Sequence, residues 1–472
     1  MTFSRDLVWL LGELAGLAHI AIASAVTVHI LLYKRNIGTS ISWMGIAWLS
    51  PFIGGALYFM LGVNRVKRRA KRLRRERSHL FLVDEVAPNA PNAGPLAPLE
   101  HAIGRLTGLS AEAGNGFQLL RNGDEAYPAM RLAIDAATKS VGLASYIFRD
   151  DAAGEPFNAA LIRAHQRGVQ VRVLIDGIGS GYFWSGTYDR LRRAGVPVDR
   201  FLHSYVPWKT PFLNLRNHRK LLVIDGRIAF TGGLNIGAEN IQAGNPQHPV
   251  LDTHFRVDGP VVEQLVEAFA DDWLFQTGEK LLSDEWFPTL EAAGQAIARV
   301  VTSGPDEDLE QIEFVAMHAI SSARHSIRVV TPYFLPPEVL TMSLGLAAMR
   351  GVRVDIVLPE HSNHTMLDWA RRVPLKALLE AGCHVWLRPA PFDHSKLMTI
   401  DDAWSLIGSA NWDTRSFRLN FELTVEIQDE GFARNLAEIT RGGRELLLAE
   451  LDHDPLLLRL RNNAARLLQP YL

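Results

Sequence analysis

Hydrophobic and polar positions divide the chain into three regimes. Leu7–Leu32 is apolar apart from Glu13, His19 and His29 and a few small polar residues, and Ser40–Val63 contains no charged residue. At about 1.5 Å per residue, either stretch is long enough to cross ~30 Å of hydrocarbon. The pattern predicts two transmembrane helices, about 7–32 and 40–63, forming a hairpin within residues 1–64. Glu13 near mid-span is costly unless it lies toward the interface or finds a partner. Ala23-Ser24-Ala25 has the small-residue character of a signal-peptide cleavage site, yet the apolar run continues past it, so the segment is expected to be retained.

Beyond residue 111 the pattern changes. Short apolar runs of strand type alternate with helical stretches, and several helix ends are marked by glycine. The alternation repeats. Ile134–Phe148 parallels Ile320–Phe334, Gly168-Val-Gln-Val-Arg-Val-Leu-Ile parallels Gly351-Val-Arg-Val-Asp-Ile-Val-Leu, and Ala194-Gly195 parallels Ala381-Gly382. Helix, glycine, buried strand is what βαβ units require. The reading is α/β, with two homologous lobes over 112–290 and 291–472, related by a pseudo-twofold with the site on their seam. Pro455–Leu468, with Leu and Arg at helical spacing, predicts a C-terminal helix docked on a lobe in preference to one that binds the membrane. Residues 65–111 read as a basic juxtamembrane segment followed by a linker, Asp84–Pro98, rich in Pro, Ala and Asn.

Charge sharpens this picture. Arg65–Arg77 carries nine Lys/Arg and one acid, Glu76, so it contributes +8 to a chain total of −2 and leaves −10 elsewhere. By the positive-inside rule this end, and all that follows, is expected to be cytoplasmic. The cations also suit anionic lipid headgroups. A nucleic-acid partner is not expected, because its surface would be basic in the catalytic part as well. Cys383 is the sole cysteine, which excludes an intrachain disulfide and is expected to be a packed thiol.

The candidate chemistry lies in a pattern that occurs twice. His218-Arg-Lys220-Leu-Leu-Val-Ile-Asp225 and His394-Ser-Lys396-Leu-Met-Thr-Ile-Asp401 are both His-x-Lys-x4-Asp, and Gly232, Gly233 and Asn235 recur at the same offset as Gly408, Ser409 and Asn411. In an extended chain His218 and Lys220 face one way, as do His394 and Lys396, while Asp225 and Asp401 have the opposite parity. Each Asp is therefore expected to be mainly structural within the catalytic motif. Two imidazoles and two ammoniums suit phosphoryl or phosphatidyl transfer, with one His as nucleophile and the other as acid. The lysines, the Asn235 and Asn411 amides, and backbone N–H groups exposed at Gly233 and Ser409 are expected to hold the phosphate. No metal or other cofactor is required. Asp252 and Glu422, each following its His by about one strand–helix excursion, are expected to orient the imidazoles. Asp176 and Tyr333 at strand ends are further candidates. Tyr182-Phe183-Trp184 and the aromatics at 205, 208 and 212 could meet lipid.

The duplicated motif resembles the phospholipase D superfamily. Arg-Asn-His-Arg-Lys (216–220), Gly-Gly-Leu-Asn-Ile-Gly (232–237), Thr-Pro-Tyr-Phe-Leu-Pro-Pro (331–337), Gly-Ser-Ala-Asn-Trp-Asp-Thr-Arg-Ser (408–416) and Leu-Asn-Phe-Glu (419–422) resemble its bacterial, membrane-anchored cardiolipin synthases over nearly the whole chain. The resemblance implies phospholipase D-type lobes, each a mixed sheet flanked by helices. It implies a bacterial inner-membrane location and transfer of a phosphatidyl group between two phosphatidylglycerol molecules, giving cardiolipin and glycerol. It also implies His218 as nucleophile and His394 as the acid that becomes the base, an order the two similar motifs leave open. A hydrolytic phospholipase D, or a membrane-tethered scaffold with a vestigial site, would use the same framework.

Overall fold

The computed structural model describes residues 2–33, 37–50, 52–59, 96–203, 215–304, 310–452 and 454–469. The basic segment at 65–77, most of the linker at 84–98, and the aromatics at 205, 208 and 212 lie outside the described residues. The chain forms two compact units, one N-terminal and one containing both lobes.

In the N-terminal unit, α1 (Thr2–Tyr33) is one continuous helix, and its Trp9–Tyr33 portion is long and apolar enough to cross a membrane. The second apolar stretch is broken. Helix α2 (Ile37–Leu49) is followed by a bend and then by α3 (Ile53–Leu57), with Phe52 at φ +62°. The sequence has Pro51 at the break, and proline supplies no N–H and disfavours helix in the residue before it. At ~1.5 Å per residue α2 spans only about 20 Å, short of a bilayer core. The second segment is thus not the single continuous helix expected over 40–63. Val26 and Ile30 pack with Ala47 and Tyr58. Trp48 Nε1 donates to Thr27 Oγ1 (3.0 Å), and the Tyr58 hydroxyl lies 2.7 Å from His29 Nδ1.

The second unit is built on one 16-stranded sheet. Its longer strands in the first lobe are β1 (Glu112–Arg121), β2 (Ser140–Ser145), β3 (Gln170–Asp176), β4 (Val198–Phe201), β5 (Leu221–Ile224), β6 (Ile228–Gly232) and β7 (Thr253–Asp258). Those of the second lobe are β8 (Ala296–Ser303), β9 (Ser326–Val330), β10 (Arg353–Pro359), β11 (His384–Arg388), β12 (Leu397–Ile400), β13 (Trp404–Gly408) and β14 (Asn420–Gln428). Strands β1 and β8 pair antiparallel at the centre, and outward from them the order is β7, β6, β5, β2, β3, β4 on one side and β14, β13, β12, β9, β10, β11 on the other. The parallel triplets β2–β3–β4 and β9–β10–β11 are joined by crossover helices, among them Gly154–Gln166 and Thr365–Glu380.

The sequence repeat explains these matched halves. Gly168 and Gly351, each just past a helix, take φ of +88° and +89°, a left-handed stop that any side chain would strain. The strands that follow are nearly all buried, as parallel strands covered on both faces must be. Two apolar cores result, one around Val141, Phe157, Val173 and Leu222, the other around Val329, Leu344, Ile356 and Met398. The end of the region read as linker is a helix, Ala97–Thr107, whose Leu99 and Ile103 join the second core.

Candidate functional site

The two His-x-Lys segments meet at the junction of the lobes. Each enters through a two-residue strand paired in parallel with the opposite lobe: Arg216–Asn217 with Asn420–Phe421, and Phe392–Asp393 with Val250–Leu251. His218 N donates to Phe421 O (2.9 Å) and His394 N to Leu251 O (2.7 Å). Phe421 and Leu251 are the residues just before Glu422 and Asp252. The backbone exchange therefore delivers each orienting acid to the other lobe's histidine.

His218 Nδ1 lies 3.0 Å from Glu422 Oε2, and His394 Nδ1 lies 2.8 Å from Asp252 Oδ2. Each acid does lie against an imidazole, but the contact is crossed to the opposite lobe, not within a lobe as the spacing after each His suggests. All four side chains are buried, as are Lys220 and Lys396. Lys220 Nζ donates to His218 O (2.7 Å), while Lys396 Nζ donates to His394 O and lies 3.0 Å from His394 Nδ1.

The electrostatics of the two halves differ. Burial, offset in part by Glu422, pushes the His218 imidazole down to about 4. Burial and the two lysines push His394 well below the ordinary histidine range. Both shifts favour the neutral imidazole. Burial raises the Glu422 carboxyl, but His218, Lys220 and the Ser409 hydroxyl outweigh it and hold it below its usual value. Asp252 is pushed up to about 7, chiefly by burial. Burial also lowers Lys220 strongly and brings Lys396 down to about 8. An anion entering beside these two lysines favours their charged forms.

The remaining predicted residues fall into three groups. Asp225 and Asp401 sit away from the imidazoles at hairpin turns, where their carboxylates accept from the backbone N–H groups of Thr138, Lys139 and Ser140, and of Arg324, His325 and Ser326. They pin the start of β2 and β9 against the catalytic strand, in line with their opposite parity. Gly233 and Ser409 lie against the two acids. A Cβ at Gly233 would come within 2.3 Å of Asp252 Oδ1, and Ser409 Oγ donates to Glu422 Oε2. Their backbone N–H groups are already bonded, to Thr253 O (3.1 Å) and Leu423 O (2.9 Å). Asn235 Oδ1 accepts from Ile147 N (3.2 Å), whereas the buried Asn411 Oδ1 has no hydrogen-bond partner among the described residues.

Asp176 supports the site from behind, its buried carboxylate accepting from Ile178 N, Gly179 N and Asn217 N, the last next to His218. The Tyr333 ring centroid is 6.0 Å from that of His394, and its hydroxyl donates to Asn363 Oδ1 (2.6 Å). Tyr146 joins the site without any motif in the sequence to mark it. Its ring meets His218 edge-on at 4.9 Å and has Lys220 Nζ over it at 5.2 Å. The available signal was position alone, since Tyr146 follows β2 within the repeated segment. Cys383 is buried, and burial pushes its thiol up to about 12.

Comparison with known proteins agrees with this architecture. The model of the family described as "Cardiolipin synthase, PLD-like domain" matches residues 130–273 and 316–441. The chain is 31% identical to a cardiolipin synthase of Geobacillus thermodenitrificans (strain NG80-2), over 98% of this chain and 95% of that protein. It is 32% identical to cardiolipin synthase A of Pseudomonas putida, over 98% of each. Among solved structures, phosphatidylserine synthase of Haemophilus influenzae Rd KW20 shares the fold, with a TM-score of 0.59 and 16% identity over 79% of this chain and all of that one. The chain belongs to the cardiolipin synthase family of phospholipase D-like phosphatidyltransferases.

Proposed function

We propose that this protein makes cardiolipin from two molecules of phosphatidylglycerol through a phosphohistidine at His218. The observation that carries this reading is the crossed pairing of each buried imidazole with the opposite lobe's acid. With Nδ1–H of His218 donating to Glu422, Nε2 carries the lone pair for attack on phosphorus. The P–O bond to glycerol breaks, and His394 gives that oxygen its proton. The hydroxyl of a second phosphatidylglycerol then loses its proton to His394 and attacks phosphorus, and the P–N bond to His218 breaks. The order of roles is supported by the unequal acids, since ionised Glu422 suits support of a His218 cation better than Asp252 at about 7 suits His394.

Lys220 and Lys396, with the amides of Asn235 and Asn411, hold the phosphate oxygens in this reading. The lysine charges that depress His394 in the free site are then offset by the bound phosphate, which lets His394 take up the proton it must donate. The matching strand order on either side of β1 and β8 supports a pseudo-twofold relation between the lobes. The return of α2 and α3 along α1 supports an N-terminal hairpin in the membrane, and the basic run at 65–77 supports cytoplasmic lobes at the bacterial inner membrane.

The covalent step is tested by mixing the protein with phosphatidylglycerol labelled in its phosphate and quenching in alkali, where phosphohistidine survives. Label on the wild-type chain and none on His218→Ala is expected. Equal labelling of both would place the nucleophile elsewhere.

A further inference from the structure

The C-terminal helix, Leu456–Leu467, is held to the second lobe by one narrow face. Ala465 packs with Leu335, Leu367 and Ala370. Arg461 lies over the Trp369 ring at 4.6 Å, and Asn462 Nδ2 donates to Asp454 Oδ2 (3.2 Å), itself paired with Arg372. Just past the helix, Gln469 Nε2 donates to Leu335 O, Pro336 O and Thr414 Oγ1 at 3.1, 3.0 and 2.9 Å.

Most of the helix's leucines point away from the lobe. At about 100° per residue, Leu456, Leu457, Leu460, Leu467 and Leu468 fall within a stripe roughly 120° wide, opposite Ala465 and Asn462. Their side chains are left open, with Leu457 79% and Leu467 81% exposed. Arg459 and Arg466 lie beyond one edge of this stripe, whereas Arg461, beyond the other, is held over Trp369 and against Asn462. A single exposed leucine is ordinary, but five on one face of a firmly anchored helix form a surface. An apolar stripe edged by arginines is the pattern of a helix lying in the plane of an anionic membrane. A second copy fits poorly: the helix carries no acid, so a twofold contact through it would bring arginines against arginines.

The surface adjoins the candidate site. The cluster that seats Ala465 includes Tyr333, whose ring is 6.0 Å from that of His394. We propose that this face docks the second lobe on an anionic bilayer surface, with the leucines at the acyl boundary and the arginines at lipid phosphates. The proposal rests on the reading above for its purpose, bringing the site to headgroup depth, and its test does not use activity.

Because Cys383 is buried, a thiol introduced at the surface can be labelled selectively. An environment-sensitive fluorophore on Leu460→Cys, in full-length protein reconstituted into phosphatidylglycerol or phosphatidylcholine vesicles, is compared with one on the exposed Ser321→Cys. In phosphatidylglycerol the label at 460 is expected to shift to the blue, lose most of its quenching by iodide and be quenched by lipids brominated near the headgroup. The label at 321 should stay open to iodide, and Arg459→Glu with Arg466→Glu should reduce the shift at 460. A label at 460 as open to iodide as that at 321 in both vesicles would overturn the proposal. So would shielding in detergent that grows with protein concentration, which would assign the face to a second copy.

Discussion

His218 and His394 share one arrangement in unequal surroundings, and that inequality makes single-residue predictions possible. Glu422→Gln keeps the shape of the contact with His218 Nδ1 but removes the charge that supports the imidazole cation. Turnover is expected to fall by roughly 10²–10⁴-fold, the range of a general acid–base contribution, with the fold retained by circular dichroism. Gly233→Ala would push a methyl into Asp252 and is expected to lower activity through His394, even though no side chain is lost. Lys396 gives the pH dependence. Its folded value of about 8 lies below the ordinary 10.5, so its charge is lost as pH rises through about 8. kcat/KM in phosphatidylglycerol vesicles should therefore decline above about pH 8, and Lys396→Arg should move that limb upward. A limb unchanged in Lys396→Arg would remove Lys396 as the group responsible.

At the scale of elements, the central strands are tied by a buried ion pair. Arg299 on β8 donates through Nε to Glu426 on β14 (2.5 Å), and its other nitrogens donate to Leu109 O and Glu100 O. Arg299→Ala leaves Glu426 buried without its counter-charge and is expected to cost about 3–5 kcal/mol, read as a lowered denaturation midpoint in detergent. The sequence made several elements legible for physical reasons. Repeated Gly-then-apolar runs mark helix stops and buried strands, and parity along the extended chain separated Asp225 and Asp401 from the imidazoles. The break after α2 was hidden because hydropathy is blind to the backbone restriction imposed by Pro51. The crossed acids were hidden for a different reason. Spacing along one lobe carries no trace of a strand exchanged with the other, so Asp252 and Glu422 could be named while their partners could not. A small residue near a catalytic strand suggests open backbone for a phosphate, but spacing does not disclose that the Ser409 hydroxyl donates to Glu422.

For the whole molecule, the exchange means that neither lobe holds a finished site. Each His-x-Lys depends on an acid that the other lobe supplies, and β1 against β8 fixes the two lobes in register. Family membership makes the chain a phosphatidyltransferase, and the proposed acceptor, a second phosphatidylglycerol, is the part that product analysis decides. The protein is reconstituted in phosphatidylglycerol vesicles and its products are identified by lipid mass spectrometry, with His218→Ala alongside. The account predicts cardiolipin with equimolar glycerol, absent in the variant. Phosphatidic acid in place of cardiolipin, or cardiolipin undiminished in His218→Ala, would contradict it.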